Sequence, residues 1–168
     1  MSRILVLDTS ILCVWLKVPG KETCGSGSDR WDYRRINSLI QDEIKRDAML
    51  VLPIASLIET GNHISHGDTL RFEKAKELGK IIKNTADERS PWAAFNNQDT
   101  LWSREELKKI ADEWPSEAAK KLSIGDFTIK NVAEFYARMG HDVEIVTGDA
   151  GLKQYQPAKP ALIPRRKK

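Results

Sequence analysis

Cysteine is scarce in this chain. Cys13 and Cys24 are the only two in 168 residues, and they form no Cys-x-x-Cys pair. With no accompanying histidine pattern, they read as ordinary thiols in a reducing compartment and not as a structural metal site. Long apolar runs are missing as well, and none approaches the roughly 20 residues that a membrane span requires. Ile4 to Leu7, behind Met-Ser-Arg, is too short for the apolar stretch of a secretory signal. The expectation is therefore a cytoplasmic protein with no membrane partner. No internal repeat is visible. No Gly-x-Gly-x-x-Gly follows the first apolar run, which removes a dinucleotide-binding fold. Asp8 is followed two residues later by Ser10, so the second acid of an Asp-x-Asp phosphatase is lacking. The His-Glu-x-x-His order of a zinc protease does not occur either.

What remains is an ordinary globular composition, 40% hydrophobic and 30% charged, at a length that suits one domain. We place that domain at residues 1–164, followed by a basic tail of Arg165, Arg166, Lys167 and Lys168. The net charge of +3 is small, but the tail concentrates it. Such a tail suits the nucleic-acid backbone, with salt-sensitive binding as counterions are released. It serves solubility equally well.

Four apolar runs read as buried strands, at 4–7, 49–52, 143–146 and 161–163. Helical periodicity fills the intervals. Ile36, Leu39, Ile40 and Ile44 make one stripe over about 33–46, and Phe72, Ala75, Leu78 and Ile82 make another over about 69–83. Ser103-x-x-Glu106 is a capping box opening a helix with Leu107, Ile110, Ala111 and Trp114, and Ile129, Val132, Ala133 and Tyr136 stripe a helix ended by Gly140. Strands alternating with helices imply an α/β fold, a three-layer sandwich with a central, mainly parallel sheet. Residues 18–28 and 85–100 read as loops, the second either an excursion beside a binding surface or a passive surface segment.

The functional signal lies in where the acids fall. Asp8 directly follows the first strand, and Asp149 follows the strand at 143–146 within Thr147-Gly148-Asp149. The carboxyl edge of an open α/β sheet is where ligands bind, so these two acids point into one crevice. Glu59 comes one to two helical turns after the second strand, with Ala55 and Ile58 expected on the inward side. Asp126 opens the helix whose buried stripe begins at Ile129, and shares a face with it. Singly, each acid has a plainer reading, as a turn residue for Asp8 and Asp149 or as a helix-start charge for Asp126. Jointly, four converging carboxylates repel one another, and burial raises their pKa values further. Hard divalent cations such as Mg²⁺ offset that repulsion through oxygen ligands, and they activate water at a phosphodiester.

These segments resemble the PIN-domain nucleases (VapC-like ribonucleases). The resemblance is carried in order by 4–10 (Ile-Leu-Val-Leu-Asp-Thr-Ser), 57–62 (Leu-Ile-Glu-Thr-Gly-Asn), Gly125-Asp126 and 146–149 (Val-Thr-Gly-Asp). It implies a parallel sheet flanked by helices and a carboxylate cluster of Asp8, Glu59, Asp126 and Asp149 binding Mg²⁺ or Mn²⁺. Ser10 and Thr147 would be hydroxyls that orient carboxylates or water. The implied activity is endoribonuclease cleavage of RNA, in a toxin-type or defence-type effector, and the implied partners are RNA, a second copy and an inhibitory antitoxin-like protein. The connection between the first strand and the helix at Tyr33, and residues 85–122, are longer than in compact members, and no second acid closely follows Asp149. The competing reading is a catalytically idle PIN-like module that binds RNA or protein. The intact set of four acids argues against it.

Lesser features fill out the expectations. Glu59, His63 and His66 are spaced to share a helical face, suiting either a transition-metal site or capping and surface contact. Trp92 and Trp102 are candidates to stack on unpaired bases. Trp15, Trp31 and Trp114 are read as core or interface, and packing is the default for all five.

Overall fold

The computed structural model describes residues 2–160. The apolar run at 161–163 and the basic tail Arg165, Arg166, Lys167 and Lys168 lie outside them. At the centre is a three-stranded parallel sheet, ordered β4-β1-β5, in which β1 is Arg3–Leu7, β4 is Met49–Val51 and β5 is Asp142–Val146. Ile4 pairs with Met49 and Val143, and Leu7 pairs with Val146. Parallel strands need crossover connections, which the helices supply. Both faces of the sheet are covered, which is why Ile4–Leu7 of β1 and β4 read as unbroken apolar runs, while β5 is interrupted by Glu144. The side-chain period of two divides the strands between two cores. Leu5, Leu7, Leu50 and Val146 pack on one face against helices α1 (Thr9–Trp15) and α2 (Tyr33–Ile44). Ile4, Val6, Val51, Val143 and Ile145 pack on the other against α6 (Ile124–Arg138).

The remaining helices are α3 (Ile54–Ser65), α4 (Arg71–Ala86), α5 (Arg104–Ala118) and α7 (Ala150–Lys153). In a short antiparallel pair, β2 (Thr23–Cys24) falls inside the stretch 18–28 expected to be loop and its partner β3 (Trp31–Asp32) just beyond it. Several helix starts follow the capping logic of the sequence. Ser103 accepts from the Glu106 backbone N–H at 3.3 Å, and Gly140 takes φ +86° just past α6. Among the described residues, no helix is long and apolar enough to cross a membrane.

Three expectations need correction. On α3 the inward residues are Ser56, Thr60 and Ile64, whereas Ile58 is 56% exposed. On α4 the buried stripe is Leu78, Ile81 and Thr85, and Phe72 is 76% exposed. Apolar spacing alone does not say which of two adjacent stripes meets a neighbour. Residues 85–100 are no loop excursion either. α4 continues to Ala86, and Trp92 bridges Leu50 in a parallel sense. The Leu50 N–H donates to Pro91 O at 2.8 Å and Leu50 O accepts from Ala93 at 2.9 Å, so this segment covers the free edge of β4. Trp92 is buried there and is not free to stack on a base.

The buried and exposed stripes predict opposite responses to truncation. Ile129→Ala, one turn beyond Asp126 and fully buried, should cost about 2–5 kcal/mol. Phe72→Ala should stay within about 0.5 kcal/mol. Urea unfolding of both variants, read at unchanged m-value, checks the assignment.

Candidate functional site

Asp8 follows β1 at the carboxyl edge of the sheet and is only 5% exposed. A buried carboxylate is tolerated only with hydrogen-bond partners, and here the local chain supplies them. Oδ1 accepts from Thr9 N at 2.6 Å, while Oδ2 accepts from the Ser10 hydroxyl at 2.6 Å and the Thr147 hydroxyl at 2.7 Å. Asp8 is thereby the N-cap of α1. The two hydroxyls pass the order on. Ser10 Oγ accepts from Gly148 N at 3.0 Å, and Thr147 Oγ1 accepts from Asp149 N at 2.9 Å. Asp149 in turn caps α7, its Oδ1 accepting from Gly151 N at 2.6 Å.

Glu59 and Asp126 arrive from the two helices α3 and α6. Glu59 Oε2 accepts from the Thr9 hydroxyl at 2.9 Å. Its other oxygen lies against the first turn of α6, where a Cβ on Gly125 would stand 2.5 Å from Glu59 Oε1. A side chain at 125 would push that carboxylate from its present place. Asp126 Oδ2 accepts from the Ser123 hydroxyl at 2.8 Å, while Ser123 Oγ accepts from Asp126 N at 3.0 Å, closing the start of the helix. All four acids line one cavity of about 350 Å³, together with Thr9, Ser10, Cys13, Lys21, Cys24 and His63.

The electrostatics are those of crowded acids. Burial pushes the Asp126 carboxyl above its ordinary 3.8, the Ser123 hydroxyl draws it back, and the charges of Asp8, Asp149 and Glu59 push it up again. Burial also pushes the Cys13 thiol up to about 11, and it raises Cys24 as well. Both cysteines are free.

The four acids share a cavity without being drawn into a cage. Among the described residues, no three His, Cys, Asp or Glu stand together as a group that could hold a metal ion. This includes Glu59, His63 and His66. His63 lines the cavity, but His66 Nδ1 lies 2.8 Å from Asn62 O, serving the C-terminal end of α3. Trp102 stays partly exposed beside α5. Contributors not anticipated include Thr9, Ser123, Lys21, Cys13 and Cys24. Ser123-x-x-Asp126 matches the capping signature Ser-x-x-Asp, so Ser123 had a usable signal. Lys21 and Cys24 had none, because they reach the cavity through contacts between distant segments, such as Cys24 against Gly148, where a Cβ would meet Cys24 Sγ at 2.7 Å.

Fold and cavity together define an α/β protein with an acid-lined pocket at the carboxyl edge of a parallel sheet. Compared with family models, curated proteins and solved structures, the chain gives no match.

The raised Asp126 carboxyl has a pH consequence. An acid whose pKa is higher in the folded than in the unfolded chain favours the fold at low pH, and that advantage is lost as pH rises from 3.8 through the raised folded value. In EDTA at neutral pH, Asp126→Asn should therefore melt above wild type, and the gap should close on acidification below 3.8. An acid serving only as a helix-start charge would do the reverse, its loss lowering stability by about 0.3–1 kcal/mol. Thermal melts of both proteins across pH decide the sign.

Proposed function

We propose that the chain is a metal-dependent endoribonuclease of the PIN type. The observation that carries this reading is that Asp8, Glu59, Asp126 and Asp149, supplied by four separate segments, line one cavity. The donor set suits a hard cation, since the acids offer oxygens and the thiols beside them are held protonated at neutral pH. Mg²⁺ binds through one or two carboxylates, keeps several waters and takes substrate phosphate as a further ligand. Acids that share a pocket without closing into a cage fit that habit. Bound there, Mg²⁺ or Mn²⁺ supplies an activated water and charge compensation at the scissile phosphodiester.

The chain's own residues then have separate tasks. Asp8, the most buried acid, is fixed in place by the Ser10 and Thr147 hydroxyls, and Glu59 is steadied by Thr9. Asp149 is aligned through its own N–H by Thr147. Asp126 has one oxygen engaged by Ser123, and Oδ1 is left to face cation or water. A homodimer, an antitoxin-like inhibitor and a toxin or defence role rest on the family resemblance alone.

A second reading has a specific observation in its favour. Asp8 and Asp149 both work as helix caps, and no ready three-ligand group exists among the described residues. That is what a catalytically idle RNA- or protein-binding module would retain. Incubation of the purified protein with total cellular RNA, with Mg²⁺ and with EDTA, separates the two. Cleavage is expected only with Mg²⁺, and Asp8→Asn should reduce it more than about tenfold, a loss above roughly 1.4 kcal/mol of transition-state stabilisation. Cleavage that persists in EDTA or in Asp8→Asn sinks the metal-nuclease reading.

The cation should also register without turnover. Mg²⁺ at a hundredfold excess over its Kd should stabilise the folded chain by about 2.7 kcal/mol. Melts of Asp126→Asn should show a smaller gain, and an equal gain would remove Asp126 from the site.

A further inference from the structure

The acid cavity does not stand alone. A second cavity of about 310 Å³ shares Asp149 with it, and a third of about 190 Å³ shares both Asp126 and Asp149. The acids therefore sit at a junction from which two arms leave. The cations along these arms differ in availability. In the second cavity Lys153 is already engaged, its Nζ donating to Ile145 O at 2.9 Å and lying 3.6 Å from Glu144, and Asp29 lines the same space. A phosphate entering that arm meets an acid before a free amine. The third cavity is lined by Lys120 and Lys121. Lys120 shares Glu117 with the Tyr155 hydroxyl, while Lys121 enters no ion pair among the described residues. Lys21 lines the acid cavity itself and is exposed, again with no ion pair among the described residues. Uncommitted amines thus line both the acid cavity, at Lys21, and the arm that shares Asp126 and Asp149 with it, at Lys121.

We infer that a single polynucleotide strand crosses the acid cavity from Lys21 to the Lys120–Lys121 arm. Lys21 and Lys121 receive the phosphates on either side of the one held at the acids. This rests on the nuclease reading and adds the course of the substrate and its positioning residues. A polyanion approaching four carboxylates is repelled unless cations take its neighbouring charges, and a positively flanked groove is how single strands are tracked. A single strand is favoured over a duplex because Asp8 is 5% exposed. The phosphate has to descend into the cavity, which a flexible strand permits and the regular backbone of an A-form helix does not.

The test uses the full chain and a short labelled single-stranded oligouridylate, with Ca²⁺ replacing Mg²⁺ to hold cleavage off, and anisotropy read across a salt series. Lys21→Ala and Lys121→Ala should each weaken binding and reduce the slope of log affinity against log salt by about 0.7, the value for one lost single-strand contact. Lys45→Ala, an exposed lysine beyond the end of α2 and next to the start of β4, is the control and should change neither. With Mg²⁺, the two cavity variants should raise KM and leave kcat in place. Variants that bind like Lys45→Ala, duplex bound as tightly as single strand, or no binding by wild type would each overturn the inference. Failure of the path and failure of the nuclease reading are distinguishable. Cleavage in Mg²⁺ with indifferent lysines removes only the path, whereas lysine-dependent binding without cleavage removes only the nuclease.

Discussion

A carboxylate withdrawn from water between two strand ends organises this molecule. Removing a charged oxygen pair from solvent costs several kcal/mol unless every lone pair finds a donor. Asp8 meets that demand with the Thr9 amide and the Ser10 and Thr147 hydroxyls, drawn from the ends of both β1 and β5. The register that pairs Leu7 with Val146 brings those donors within reach, and the donors in return hold the strand ends in register. Asp149 inherits its place from this arrangement, because its amide donates to the same threonine hydroxyl that serves Asp8.

The other two acids are joined to the centre by helix packing. Thr9 reaches across to Glu59, and the missing side chain at Gly125 lets that carboxylate lie against the start of α6. Asp126 completes the group from the same helix turn, buried enough to resist ionisation. A fold that gathers acids in this way carries their mutual repulsion as a standing destabilisation, and a bound cation is the simplest agent to relieve it. The same crowding makes the cavity hostile to a polyanion on its own. For that reason the uncommitted Lys21, lining this cavity, and Lys121, lining the one that shares Asp126 and Asp149 with it, matter as much as the acids.

Caps and candidate ligands coincide in this protein. Asp8 and Asp149 stabilise the starts of α1 and α7, Asp8 through both oxygens and Asp149 through one, while lining the cavity. Either role alone explains the residue type, and the two are compatible because a carboxylate has about four acceptor positions. The structural duty also means that loss of function and loss of stability in these residues have to be measured separately.

Strand positions were legible from the sequence because a strand buried on both faces must be continuously apolar, as Ile4 to Leu7 is. Helix starts at Ser103 and the stop at Gly140 were legible because capping is a local hydrogen-bond problem. The carboxyl-edge placement of Asp8 and Asp149 followed from their positions after strands, and the α6 stripe led to the facing of Asp126. What spacing along the chain does not encode is the partner. Ile58 and Phe72 fell outside the buried stripes because neighbouring helices, and not periodicity, select the inward face. Trp92 became edge cover for β4 because an unpaired strand edge must be satisfied by whatever segment returns beside it. Cys24 lies in the cavity wall close against Gly148, just past the end of β5, a contact between distant segments that spacing does not encode. The sequence alone determined which side chains could do chemistry and at which edge, since those depend on local order. The tertiary structure alone decided their company, since contacts between distant segments depend on shape and not on spacing.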